Sequence, residues 1–145
     1  MTFEYKKMDE SDRALYASWN IREPISSAFR SWVVDKENDV YLISFGGRGE
    51  MPEDSDYPPD YSLLRYKGLN VFFEGRMTSE TIIENERWIN NWNFDIHIPK
   101  TLENEVSRLF SLIEEAFLCQ KFALRPGLID KIVIHIVADN IKFVA

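Results

Sequence analysis

TLENEVSRLFSLIEEAFLCQK, residues 101–121, is the stretch whose reading decides the fold. Val106, Leu109, Phe110, Ile113 and Phe117 recur at steps of three and four, which places them on one face of a helix. Leu112, Ala116 and Cys119 widen that stripe, and Arg108, Ser111, Glu114 and Glu115 fall on the other side. Pro99 lacks the N–H that a strand ladder needs, so the preceding strand ends there. The helix is then expected to open at Thr101, whose hydroxyl can cap a free first-turn amide. Glu103 and Glu105 put negative charge where the helix dipole is positive. Pro126-Gly127 stops the pattern. So wide a stripe suits a helix lying against a twisted sheet.

The flanking segments supply that sheet. Phe3 and Tyr5 alternate with polar neighbours as in a short strand, and Ser11, Ala14, Leu15 and Ala17 are compatible with a short helix before Pro24. From Ser27 on, Ala28, Trp32 and Val34 fall on one face, with Phe29 and Val33 on the other. Glu37-Asn38-Asp39 is turn chemistry. It leads into VYLISF (40–45), apolar on both faces and so expected to be a central strand. YSLLRY (61–66), a turn at Lys67-Gly68 and LNVFFEG (69–75) form a hairpin. Met77 to Ile98 reads as another hairpin, or as two strands with a bulge. In its second arm Trp88, Trp92, Phe94, Ile96 and Ile98 share one face, with Asn91, Asn93, Asp95 and His97 on the other. After the helix, KIVIHIV (131–137) reads as a buried strand. Asp139-Asn140 reads as a turn, and IKFV (141–144) as a last strand or an edge segment. The expected architecture is α+β: a largely antiparallel, bent β-sheet system packed on one long helix (about 101–121), in a single domain spanning 1–145.

Ten Phe, six Tyr and four Trp within 45% hydrophobic content are ample for a folded core. The formal charge of −7 repels phosphate backbones, which argues against a general nucleic-acid binder. It suits a basic partner instead. A single cysteine excludes an internal disulfide framework. No apolar signal core opens the chain and no run of apolar residues is long enough to span a bilayer, so a cytoplasmic location is expected.

Residues 46–60, GGRGEMPEDSDYPPD, form the one long irregular stretch. Segments of this length are usually functional or mobile. Glu50, Glu53, Asp54, Asp56 and Asp60 lie there without an intervening Lys or Arg, interleaved with Tyr57 and Tyr61. Carboxylates steer a basic protein surface inward and tyrosines supply anchoring area, so these seven residues are the expected partner-binding site. Asp54 and Asp56 lack the glycine and late glutamate of an EF-hand loop, so no metal site is expected. GGRG (46–49) lacks the Gly-Lys-Ser/Thr ending of a P-loop. Asp95 and His97 could orient a general base, but no nucleophile motif accompanies them, and Cys119 belongs to the helix stripe. His135, between Val133 and Val137, reads as a core or edge histidine. Glu80, Glu84 and Glu86 form a second acidic group that Arg76 and Arg87 can neutralise. No catalytic residue and no cofactor are expected, and the chain is not expected to be an enzyme.

In size, acidity, aromatic content and lack of catalytic machinery, the chain resembles the immunity proteins of bacterial contact-dependent growth inhibition systems. That family is diverse and shares no motif that transfers residue by residue. The resemblance implies a cytoplasmic, acidic inhibitor that neutralises one cognate basic toxin domain, often a nuclease, through protein–protein contacts. The acids at 50–60 would then stand where nucleic-acid phosphates otherwise bind, with no direct nucleic-acid or membrane contact. Two other readings stay open: a small-molecule-binding or enzymatic α+β domain with a pocket between sheet and helix, and a single-strand nucleic-acid binder on the sheet.

Overall fold

The computed structural model describes residues 3–21, 31–46, 60–77, 82–84, 87–128 and 130–145. In chain order the elements are β1 (Glu4–Lys7), α1 (Glu10–Ser18), β2 (Ser31–Asp35), β3 (Val40–Gly46), β4 (Asp60–Tyr66), β5 (Leu69–Met77), β6 (Ile82–Glu84), β7 (Arg87–Pro99), α2 (Val106–Leu124) and β8 (Ile132–Val144). The strands form one α+β sheet in the order β1-β2-β3-β4-β5-β7, antiparallel throughout, with β8 parallel along the far edge of β7. The short β6 pairs with residues 87–89 of β7, and β5 pairs with residues 92–97. The two therefore line the same edge of β7 in succession, and β6 with β7 forms the expected hairpin. Among the described residues no helix is long and apolar enough to cross a membrane.

Local chemistry accounts for the turns. Asp35 accepts hydrogen bonds from the Asn38 amide (3.2 Å) and Nδ2 (2.8 Å), and Asp39 takes φ 56° to close the β2–β3 hairpin. Lys67 (φ 50°) and Gly68 (φ 72°) make the two-residue β4–β5 turn with positive φ at both positions, which matches the twist of the strands they join.

Helix α2 covers one sheet face. Leu109, Leu112, Ile113, Ala116 and Phe117 are fully buried against Val33, Leu42, Leu64, Val71, Phe73, Phe94, Ile96 and Ile98. Phe117 meets Trp92 and Phe94 edge-on, each at a centroid separation of 5.0 Å. Inside this layer Ser44 donates to Gln120 Oε1 at 2.9 Å and lies 2.9 Å from the Ser62 hydroxyl, so the buried polar atoms have partners. On the opposite face, α1 packs Tyr16 and Trp19 against Trp32, Val34, Tyr41 and Ile43. Among the described residues this second layer packs on the β2–β3 end.

Asp9 caps α1. Its carboxylate accepts from the Asp12 amide (2.8 Å), while Asp12 accepts back from the Asp9 amide (3.1 Å). Asp12 is itself only 2% exposed and reaches Lys6 at 3.0 Å and Lys36 at 3.3 Å. One carboxylate thus ties β1, α1 and the β2–β3 turn together.

Four expectations need correction. Thr101 is not the helix cap: residues Lys100–Glu105 form a 3-10 segment without a side-chain cap, and the α-helix starts at Val106. Leu102 is buried there, and Glu105 accepts from Tyr66 Oη and Lys67 Nζ, both at 2.8 Å, so that the start of α2 is pinned to the β4–β5 turn instead. Residues 131–137 are not a buried strand, because β8 is an edge strand without a buried residue. Asp139-Asn140 is no turn: Ala138 pairs with Phe94 and Asn140 with Asp95, which leaves Asp139 as the extra residue of a bulge. Trp88 is 54% exposed, because it lies toward the β6 end of β7 beyond the cover of α2. The expectation for Ala28 and Phe29 lies outside the described residues.

Gly75 lies directly opposite Phe94. A Cβ there would sit 2.5 Å from the Phe94 ring and 3.3 Å from Trp92. Phe94 is fully buried against Phe73 and Phe117 and has nowhere to move. Gly75→Ala is expected to destabilise the protein by about 1–3 kcal/mol, the usual cost of overpacking. Urea unfolding monitored by tryptophan fluorescence measures it, and a neutral result would refute the close approach.

Candidate functional site

The acidic segment is rooted on two neighbouring strands. β3 ends at Gly46, opposite Tyr61, and β4 begins at Asp60, opposite Gly75. Strand alternation turns Tyr61 to the face away from α2, since Leu64 and Ser62 face the helix layer. There the Tyr61 ring stacks on Phe72 at a centroid distance of 6.2 Å and an interplanar angle of 24°.

That face continues across β5, β7 and β8 as a polar surface. Phe72 stands opposite His97, Glu74 opposite Asp95 and Arg76 opposite Asn93. One strand further, Asn91 stands opposite His135 and His97 opposite Lys142. Asp95, His97, His135 and Lys142 are exposed, and Phe72, Glu74, Arg76, Asn91 and Asn93 are half-buried. Glu74 and Arg76 approach to 3.7 Å with side chains 40% and 42% exposed, a pair that solvent screening leaves with little net energy. At the α1 end, Arg65 of β4 lies 5.0 Å over the Trp19 ring and donates to Asn70 Oδ1 at 2.7 Å. The arrangement offers an aromatic platform next to carboxylates on a rigid sheet, which is chemistry for recognition by stacking, charge and hydrogen bonds.

Of the seven expected partner-binding residues, Glu50, Glu53, Asp54, Asp56 and Tyr57 lie outside the described residues. Asp60 is placed by its backbone at the start of β4, and Tyr61 by its ring on Phe72. Of GGRG only Gly46 is described, as the last residue of β3. In the second acidic group Glu84 pairs across from Arg87, while Glu80 and Glu86 lie outside the described residues. Asp95 and His97 share the wet face as expected. They point away from α2, so they do not border the sheet–helix interior, whose lining residues are fully buried. Among the described residues no group of three His, Cys, Asp or Glu side chains converges to hold a metal ion. Cys119 is half-buried with Sγ 3.8 Å from the Phe3 carbonyl, and burial pushes its thiol pKa up, away from the reactive thiolate.

Phe72 and Glu74 escaped the sequence reading of the site. The signal was there: LNVFFEG alternates, and with Val71 and Phe73 turned to the core, Phe72 and Glu74 must face the other way. Compared with protein families, curated proteins and solved structures, the chain finds no match in any of the three.

Proposed function

We propose that this chain is an acidic binding protein that neutralises a cognate basic toxin domain, with a nuclease as the favoured target, by covering its active site or substrate cleft. The observation that carries the reading is the Tyr61–Phe72 stack at the root of the acidic segment, beside Glu74. The rings provide a rigid anchor of low entropic cost where β4 begins. Residues 50–60 provide five carboxylates to meet a basic cleft. The polar face with Asp95 and His97 extends the surface available to the partner. The protein acts in this reading by occupancy, in the cytoplasm, and its contact residues perform no chemistry.

The test is an affinity capture with tagged protein, followed by measured binding to the captured partner. A single stoichiometric basic protein released by high salt is expected. Changing Glu53, Asp54, Asp56 and Asp60 together to Ala should weaken binding about 100-fold, mostly through slower association. Tyr61→Ala should instead speed dissociation. Unchanged affinity in the four-acid variant would refute the assigned surface, and capture of no basic protein would refute the function.

A further inference from the structure

We propose that β8 pairs edge to edge, antiparallel, with β8 of a second copy of this chain, with His135 on the two-fold axis. The inference goes beyond toxin binding and does not depend on the acidic segment.

Among the described residues β8 bonds to β7 alone, so its outer edge is open along thirteen residues. Proteins normally guard such an edge with proline, short length or inward charge. Here 132–144 contains no proline, and between Lys131 and Asp139 the only polar side chain is His135. Val137 is 53% exposed there. Strands in parallel pairing are usually covered on both faces, whereas β8 has no buried residue.

The occupant follows from the order of residues. KIVIHIVAD (131–139) is a chemical palindrome about His135. A two-fold axis through His135, normal to the sheet, sets Ile134 opposite the second copy's Ile136. It sets Val133 opposite Val137, Ile132 opposite Ala138 and Lys131 opposite Asp139, each pair occurring twice. Every opposed pair shares a face, as antiparallel pairing requires. The regular ladder with β7 runs from Ile132 to Ala138 and the bulge begins at Asp139, so the palindrome lies within the straight part of the strand. Lys131 and Asp139 are both exposed, and neither belongs to an ion pair among the described residues. The Lys131 carbonyl accepts from the Trp88 amide at 3.0 Å, which holds the backbone in place where its side chain would reach across.

Nine residues span about 30 Å, so the ladder and its flanking side chains bury less than the usual area of a stable specific interface. The dimer is therefore expected to dissociate in the micromolar range.

Sedimentation equilibrium of the whole chain, from about 1 to about 200 µM, tests this. The expected result is a reversible monomer–dimer equilibrium. Lys131→Asp and Asp139→Lys should each raise the dissociation constant about 10-fold, by setting like charges opposite twice. The combined swap should bring it back to within about 3-fold of the starting value, because the pairs are re-formed in reverse. Val137→Lys should leave a monomer with unchanged circular dichroism. A monomer throughout the range, a dimer indifferent to the single reversals, or a swap that fails to restore it would each overturn the proposal.

Discussion

Phe117→Ala is expected to remove about 3–5 kcal/mol of stability, the cost of deleting a fully buried aromatic side chain. Phe117 is 0% exposed and contacts the Trp92 and Phe94 rings edge-on. Such pairs add roughly 0.5–1.5 kcal/mol beyond the area they bury. Lys121 sits 4.9 Å over the same ring and 4.7 Å over Trp92, so the loss also removes the support of a cation. Domains of this kind are stable by about 5–15 kcal/mol, and one substitution would use a large share of that margin. Phe122, half-buried on the same helix, is the control, with an expected cost near 1 kcal/mol. Chemical unfolding of both variants decides the matter. Equal small losses would mean that α2 does not seat on the sheet through Phe117.

The second large effect concerns Asp12. Burial pushes its pKa up, but the Asp9 amide and the Lys6 and Lys36 ammoniums outweigh this, and the net direction is down. Removing the carboxylate leaves the Asp9 amide without its acceptor and the Lys6 ammonium facing the Asp9 carboxylate at 3.9 Å. Asp12→Ala is expected to cost about 2–4 kcal/mol, less than a fully buried pair because Lys36 is 54% exposed. The same shift fixes a pH dependence. A carboxyl whose folded pKa is depressed contributes stability above its unfolded value near 4 and loses it as the pH falls through the folded value. The protein should therefore weaken below about pH 4, and Asp12→Asn should flatten that acid limb while lowering stability at neutral pH. Trp19, stacked 5.9 Å from Trp32, reports α1 docking by fluorescence. An acid limb identical in Asp12→Asn and the parent would remove Asp12 from this role.

Periodicity carried most of the architecture. The α2 stripe and the wet face of β7 follow from side chains that repeat every 3.6 or every two residues, the β4–β5 turn follows from Lys67-Gly68, and the structure places them so. What failed had causes outside the local pattern. Thr101 has the chemistry of a cap, but the start of the helix is decided by Glu105, whose acceptors are engaged by Tyr66 and Lys67 some forty positions earlier. An apolar run such as IVIHIV has the same composition in a central strand and on an edge, so its burial depends on the order of strands. Asp139-Asn140 suits a turn and a bulge equally well. Asp9 and Asp12 were legible as a capping box only if aspartate is allowed at the third position in place of glutamate. For the site, alternation was sufficient to place Asp95 and His97, and it would have placed Phe72 and Glu74. The stacking of Tyr61 on Phe72 needed the β4–β5 register, which the two-residue Lys67-Gly68 turn fixes by setting Tyr66 opposite Leu69.

The position of β7 has a consequence for synthesis. The strands up to Pro99 pair antiparallel with strands close by in the chain, β5 and β7 being separated only by the short β6, so that sheet can assemble as it leaves the ribosome. Its apolar face, with Leu64, Phe73, Phe94 and Ile96, stays uncovered until α2 follows. At about 5–20 residues per second, translation of Lys100–Leu124 takes roughly 1–5 s. For that interval the nascent protein presents a sticky half-sheet to its surroundings, and its safe passage depends on how quickly one helix is delivered.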